Sequence, residues 1–217
     1  MRLFTALLDL LYPPKCAFCH KLLRSEKDGV CKACREHLPY TGVLAARTDL
    51  KQIDKCVAPL FYEKTVRDSL HRYKFSHCPG YAGIYAEFMV KSIDENQISC
   101  DIISWVPVSR RRLRSRGYDQ ARLLAEAVAK TCGAVCLPTL EKQRHTKQQS
   151  LIRDPKARRD NVRGAYRCAD PALVAGKRIL LIDDIVTTGA TLSECAGVLR
   201  QAGAASVSAA AAARKRD

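Results

Sequence analysis

No apolar run in this chain approaches the 18 or more residues that a membrane-spanning helix requires, so no membrane span is expected. The first apolar stretch, residues 4–11, is broken by Asp9, preceded only by Arg2 and followed by no small-residue cleavage site. It reads as a short helix packed by its Leu/Phe face and not as a signal peptide. Internal repeats are missing as well, which excludes solenoid and propeller architectures. Acid is scarce: 22 Asp and Glu stand against 37 Lys and Arg, a formal charge of +15. That balance points to polyanionic partners, either nucleic acid or phosphorylated small molecules.

At 217 residues the chain accommodates one main core and a small appendage. Eleven cysteines are an odd count in a chain too large to need staples. The count fits a reducing compartment better than a disulfide framework, and a cytoplasmic protein is expected.

Composition divides the chain in two. Residues 1–40 hold the short apolar helix, Pro13 and Pro14, and four cysteines in two close pairs; residues 41–217 form the main domain. From Ile53 onward strand and helix signals alternate. Strands are expected over residues 57–62, 101–108 and 179–182, with a last weak strand over 206–210 and a frayed alanine-rich remainder. Helices are expected over 66–73, 83–93, 119–131 and 191–202, the third carrying Ala121, Leu124, Ala125 and Val128 at helical spacing. Such alternation predicts an α/β fold, a mostly parallel sheet flanked by helices. Residues 141–166 are basic and polar without a hydrophobic period, which marks a functional lid or a disordered segment.

Cys16-x-x-Cys19 and Cys31-x-x-Cys34 can each set two thiolates on one side of a tight turn. Two such turns close a tetrahedral four-cysteine zinc site. A closed set leaves no open coordination position, so the expected Zn²⁺ is structural. Redox CxxC pairs are the competing reading, but neither pair opens a helix in a thioredoxin-like pattern. His20 and His37 lie near enough to substitute as ligands; the matched spacing of the two pairs favours the cysteines. The other seven cysteines read as small core residues.

The most informative segment is RILLIDDIVTTGATL, residues 178–192. An apolar strand runs into two acids, Asp183 and Asp184, and then into Thr187, Thr188, Gly189, Ala190 and Thr191 at the start of a helix. A Gly/Thr-rich turn entering a helix offers backbone N–H groups and hydroxyls to a phosphate at the positive helix end. The two carboxylates, at the carboxyl edge of the sheet, can accept hydrogen bonds from the vicinal hydroxyls of a ribose. Earlier in the chain a strand leads into Pro107, Val108 and Ser109, then Arg110, Arg111, Arg112, Arg114 and Arg116 before Gly117. Guanidinium forks suit a pyrophosphate, although an arginine run serves equally as a solvated surface or a nucleic-acid contact.

The 178–192 segment resembles the signature of type I phosphoribosyltransferases for 5-phosphoribosyl-1-pyrophosphate (PRPP). The resemblance implies that Asp183 and Asp184 bind the ribose hydroxyls and that Thr187 through Thr191 hold the 5′-phosphate. It further implies that Ser109 and Arg110 belong to a pyrophosphate loop, with Mg²⁺ accompanying PRPP. Together with the CxxC pairs, YEKTVRDSLHRYKF (62–75), VPVSRRRLRSRGYDQARLLA (106–125) and RHTKQQSLIRDPKARRDNVRGAY (144–166), it resembles the ComF family over nearly the whole chain. This implies a type I phosphoribosyltransferase-like parallel sheet with a small N-terminal four-cysteine zinc module. It also implies a role in natural transformation, with single-stranded DNA, a ComFA-type helicase and other DNA-processing proteins as partners.

Three functions fit this reading: a PRPP-binding accessory protein of single-strand handling, a catalytic phosphoribosyltransferase of nucleobase or nucleotide metabolism, and a PRPP sensor. No motif identifies a nucleobase pocket or a general base for an acceptor. Residues 142–163 and 110–116 are expected to track a nucleic-acid backbone, with Tyr118 and Tyr166 as stacking candidates against ordinary partial burial.

Overall fold

The computed structural model describes residues 13–23, 29–43, 45–76, 78–147, 149–152 and 154–216; the short helix expected over residues 4–11 lies outside them. A parallel sheet forms the frame. Its strands are β1 (Cys56–Val57), β2 (Leu60–Phe61), β3 (Ile102–Trp105), β4 (Val135–Cys136), β7 (Arg178–Val186) and β8 (Ser206–Arg214), in the order β1–β8–β7–β3–β4 with β2 also on β8. Every pairing is parallel, and β8 and β7 are its longest strands. An antiparallel ribbon of β5 (Leu140–Lys142) and β6 (Tyr166–Cys168) stands apart.

Helices cover both faces, besides the short α1 (Lys32–His37) in the knuckle and α7 (Pro171–Val174) before β7. On one lie α2 (Lys64–Phe75), α3 (Tyr81–Glu95) and α5 (Gln120–Cys132), whose Leu70, Tyr85 and Leu124 meet Leu180, Ile182, Ala210 and Ala212. On the other lies α8 (Ala190–Gln201), whose Leu192, Cys195 and Leu199 meet Ile179, Leu181, Ala209 and Ala211. The alternation along β7 and β8 is thus the period of 2 with both faces apolar, which defines an interior strand of a parallel sheet.

The alanine run departs from its expectation. It continues as strand to Arg214, and Ala209 to Ala213 are at most 1% exposed between β7 and the β1–β2 pair. Alanine has weak β propensity and a run of it has no amphipathic period, so the sequence carried little signal. Burial on both faces, where small side chains let the helices approach, decides the outcome. The basic stretch also departs from a structureless segment: it contains β5, the start of β6, and α6 (Pro155–Val162), N-capped by Asp154, with Val162 buried. Among the cysteines read as core, Cys56 and Cys195 are buried but Cys132 is exposed.

The N-terminal knuckle shares the main core. Cys16, Ala17, Phe18, Val30 and Leu38 belong to the same apolar cluster as α2 and α3. Phe18 stands edge-on to Tyr85 and Phe88, with centroids 5.6 and 6.0 Å apart. Arg72 of α2 donates to the carbonyls of Ala17 and Phe18 at 2.9 and 2.7 Å. Phe18→Ala should therefore cost roughly 3 to 5 kcal/mol. The loss should show as a lowered melting temperature of the whole chain by circular dichroism; a loss confined to the knuckle would contradict the shared core.

Candidate functional site: a cavity at the carboxyl end of β7 and a four-cysteine cluster

The cysteine pairs converge as their spacing predicts. The four thiol sulfurs of Cys16, Cys19, Cys31 and Cys34 lie within 4.8 Å of one another, with Cys19 and Cys31 at 3.6 Å. Four sulfurs at ~2.3 Å from a zinc ion sit about 3.8 Å apart, so the cluster fits a structural Zn²⁺ with little adjustment. The Cys31 N–H donates to the Cys16 sulfur at 3.4 Å. Burial alone would push the Cys16 thiol up, but backbone N–H groups outweigh it and bring the thiol to about 7, whereas burial pushes the Cys19 and Cys34 thiols up. His20 and His37 are not part of the cluster.

A cavity of about 450 Å³ opens at the carboxyl end of β7, where open α/β sheets hold ligands. Asp183 and Asp184 line it because β7 does not stop at Ile182; the strand carries both acids to Val186. Lys74 of α2 reaches Asp184 at 2.8 Å. Asp183 accepts from the Asp184 N–H at 2.8 Å, and burial together with the Asp184 charge holds its carboxyl well above the usual range.

Thr187, Thr188, Gly189, Ala190 and Thr191 line the cavity next to the acids. Gly189 caps α8 with φ 72°, and a Cβ there would meet Leu50 Cδ2 at 2.5 Å. Only glycine fits this turn, by conformation and by space. No side chain caps α8, so its first N–H groups are left for solvent or a ligand.

The arginine run is a helix, α4 (Arg110–Arg116), N-capped by Ser109 and closed by Gly117 at φ 80°. Helical spacing splits it: Arg112 and Arg116 line the cavity one turn apart, while Arg110, Arg111 and Arg114 face solvent. Ser109 is buried, and its hydroxyl meets His145 Nδ1 at 2.9 Å. Neither Ser109 nor Arg110 lines the cavity.

The 141–166 segment docks over this site. Arg112 donates to the Thr146 carbonyl at 3.1 Å and the Gln149 amide to Thr191 Oγ1 at 3.3 Å. Lys142 lines the cavity and donates to the Tyr166 hydroxyl at 2.8 Å. Tyr166 is 5% exposed, and Tyr118 donates to the Tyr73 carbonyl with its ring 6.0 Å from that of Tyr73. Partial burial, not an open stacking face, is the state of both rings. Lys74, Gln149 and Lys142 were missed from sequence. Only the Arg112–Arg116 face had a signal, the i, i+4 spacing.

A phosphoribosyl transferase domain model matches residues 118–217, and a double zinc ribbon domain model matches residues 7–45. The chain is 28% identical to DNA utilization protein YhgH of Salmonella typhimurium, over 91% of this chain and 96% of that protein. It is 27% identical to competence protein F of Haemophilus influenzae, over 87% and 92%. Competence protein ComFC of Streptococcus pneumoniae is 29% identical over 67% of this chain and 62% of its own. These homologues, with the two domains in this order, bear out the resemblance read from the motifs.

Freshly prepared, reduced protein should carry about one zinc per chain by elemental analysis, and Cys31→Ser should lose it. Metal-free wild-type protein would contradict the zinc assignment.

Proposed function

We propose that this homologue of competence protein F and YhgH binds PRPP in the β7 cavity and serves, in the cytoplasm, the handling of imported single-stranded DNA. One observation carries the reading. A single strand delivers two carboxylates and a glycine-dependent turn at a helix N-terminus into the same cavity. Asp183 and Asp184 accept the ribose 2′ and 3′ hydroxyls, and the Thr187–Thr191 turn holds the 5′-phosphate.

Mg²⁺ accompanies the ligand. Among the described residues no group of three acidic, histidine or cysteine ligands gathers in the cavity, which suits an ion held largely by the pyrophosphate's own oxygens. The 141–166 segment is the lid: it reaches Ser109 and Thr191, on either side of the acids in sequence, through His145 and Gln149.

The DNA role has its own support. Around α4 and α6 the exposed Arg110, Arg111, Arg114, Lys156 and Arg159 form no ion pair among the described residues. Several exposed arginines elsewhere are paired, among them Arg122 with Glu126, Arg167 with Glu141 and Arg178 with Asp101. An unpaired basic rim favours a polyanion tracked by its backbone. A ComFA-type helicase is the partner that the family resemblance implies.

Asp183→Asn and Asp184→Asn should each weaken PRPP binding by about one to two decades; for Asp184 the loss is a charge-assisted hydrogen bond of roughly 1.5 to 3 kcal/mol. Single-strand binding should be unchanged or slightly stronger and should weaken steeply with salt. Calorimetry showing wild-type PRPP affinity in both variants would remove the ribose from these acids. Assaying pyrophosphate release with nucleobases, nucleosides and single-stranded DNA offered in turn decides whether transfer accompanies binding.

A further inference from the structure

Residues 46–54, which lead from the knuckle to β1, lie outside both matched domain models. Their path is pinned at its two ends. Arg47 exchanges two backbone hydrogen bonds with Cys56 of β1, at 2.8 and 2.9 Å. Asp54 donates its N–H to the Val207 carbonyl at 2.9 Å, and its carboxylate accepts from the Val207 N–H at 3.0 Å and from Arg200 of α8 at 2.6 Å. Arg200 also donates to the Gln52 carbonyl at 2.9 Å.

Between these ends two side chains reach the Thr187–Thr191 turn, and neither lines the cavity. Leu50 is buried and fills the space in which a Cβ at position 189 would stand, its Cδ2, Cδ1 and Cγ lying 2.5, 2.9 and 3.2 Å from that point. Arg47 donates to the Thr187 carbonyl at 3.4 Å. Its guanidinium is held by both oxygens of Asp49, at 2.9 and 2.6 Å, and such a bidentate pair fixes the plane of the fork. A turn whose amides face an anion directs carbonyls away from it, and a carbonyl withdrawn from water needs a donor. Glycine has the widest backbone freedom of any residue, so the direction of the amides beside Gly189 depends on what packs against it.

We propose that Leu50 and Arg47 are positioning residues for this turn. Leu50 seats on Gly189 and removes its freedom, Arg47 takes the Thr187 carbonyl, and together they aim the amides of Gly189 to Thr191 at the 5′-phosphate. This rests on the PRPP reading of the turn and gives the segment that follows the knuckle a part in it. Because both side chains touch the turn from outside the cavity, they act through its backbone and not on the ligand. The same packing sets the start of α8, where the Ser193 N–H donates to the Gly189 carbonyl at 2.8 Å.

The test sets Leu50→Ala against Ile53→Ala, which removes a buried side chain of the same segment and the same apolar cluster. Both should lower the melting temperature. Only Leu50→Ala should bind PRPP with Mg²⁺ and ribose 5-phosphate about 10-fold more weakly by calorimetry, the scale of a sub-ångström misplacement of a binding group. Only Leu50→Ala should speed hydrogen exchange of the Ser193 amide in the unliganded protein, followed by NMR. Leu50→Met, which restores the volume, should recover most of the affinity. Arg47→Gln should weaken the same two ligands and stands in should Leu50→Ala not fold. Wild-type affinity in a folded Leu50→Ala variant, unchanged Ser193 exchange, or equal effects in Ile53→Ala would each overturn the positioning role. Wild-type protein that binds neither ligand would instead overturn the PRPP reading, and Ser193 exchange would still decide whether Leu50 holds the turn.

Discussion

The pairing of β7 with β8 is the constraint on which the site depends. It spans the length of both strands, from Arg178 opposite Ser206 to Val186 opposite Arg214. Because both faces of these strands are buried, a slip of one residue would exchange Leu180 and Ile182 with Ile179 and Leu181 between two different helical layers. The register is therefore held along the whole strand. Holding it carries Asp183 and Asp184 into the cavity at the carboxyl end of the strand, before the buried Val186. Asp183 bears the cost of that position, and burial raises its carboxyl.

A second dependence runs through α2. Arg72 grips two carbonyls of the first cysteine turn, and Lys74, two residues on, pairs with Asp184. Between them Tyr73 is fully buried and donates to the Gln120 carbonyl at 2.8 Å. One helix thus touches the first cysteine turn, the core and the cavity. This helix therefore contacts both the four-cysteine module and the region of Asp184, which match separate domain models.

What was legible in the sequence follows from this. The cysteine pairs were legible because tetrahedral thiolate coordination dictates local spacing, whatever the fold around it. The 178–192 segment was legible because strand, acids, glycine turn and helix follow one another without a break. The last strand was legible only over residues 206–210: the alanines that continue it have no period and little β propensity, and their burial between β7 and β1–β2 makes them strand. The ribbon β5–β6 was hidden for a similar reason, since three-residue strands in a basic, polar context have no pattern to read. Lys74 and Lys142 fall within stretches noted in the sequence but were not singled out there, because what distinguishes them is which distant side chains surround them. In the arginine run only Ser109 and Arg110 were singled out, for a pyrophosphate loop; the run forms a helix, and Arg112 and Arg116 are its cavity face.

The most direct measurement is a crystal structure of the protein with PRPP and Mg²⁺. It should place the 5′-phosphate on the amides of Gly189 to Thr191 at the start of α8, with the ribose hydroxyls against Asp183 and Asp184. An empty cavity at saturating PRPP, or a ligand whose ribose lies away from both acids, would contradict it.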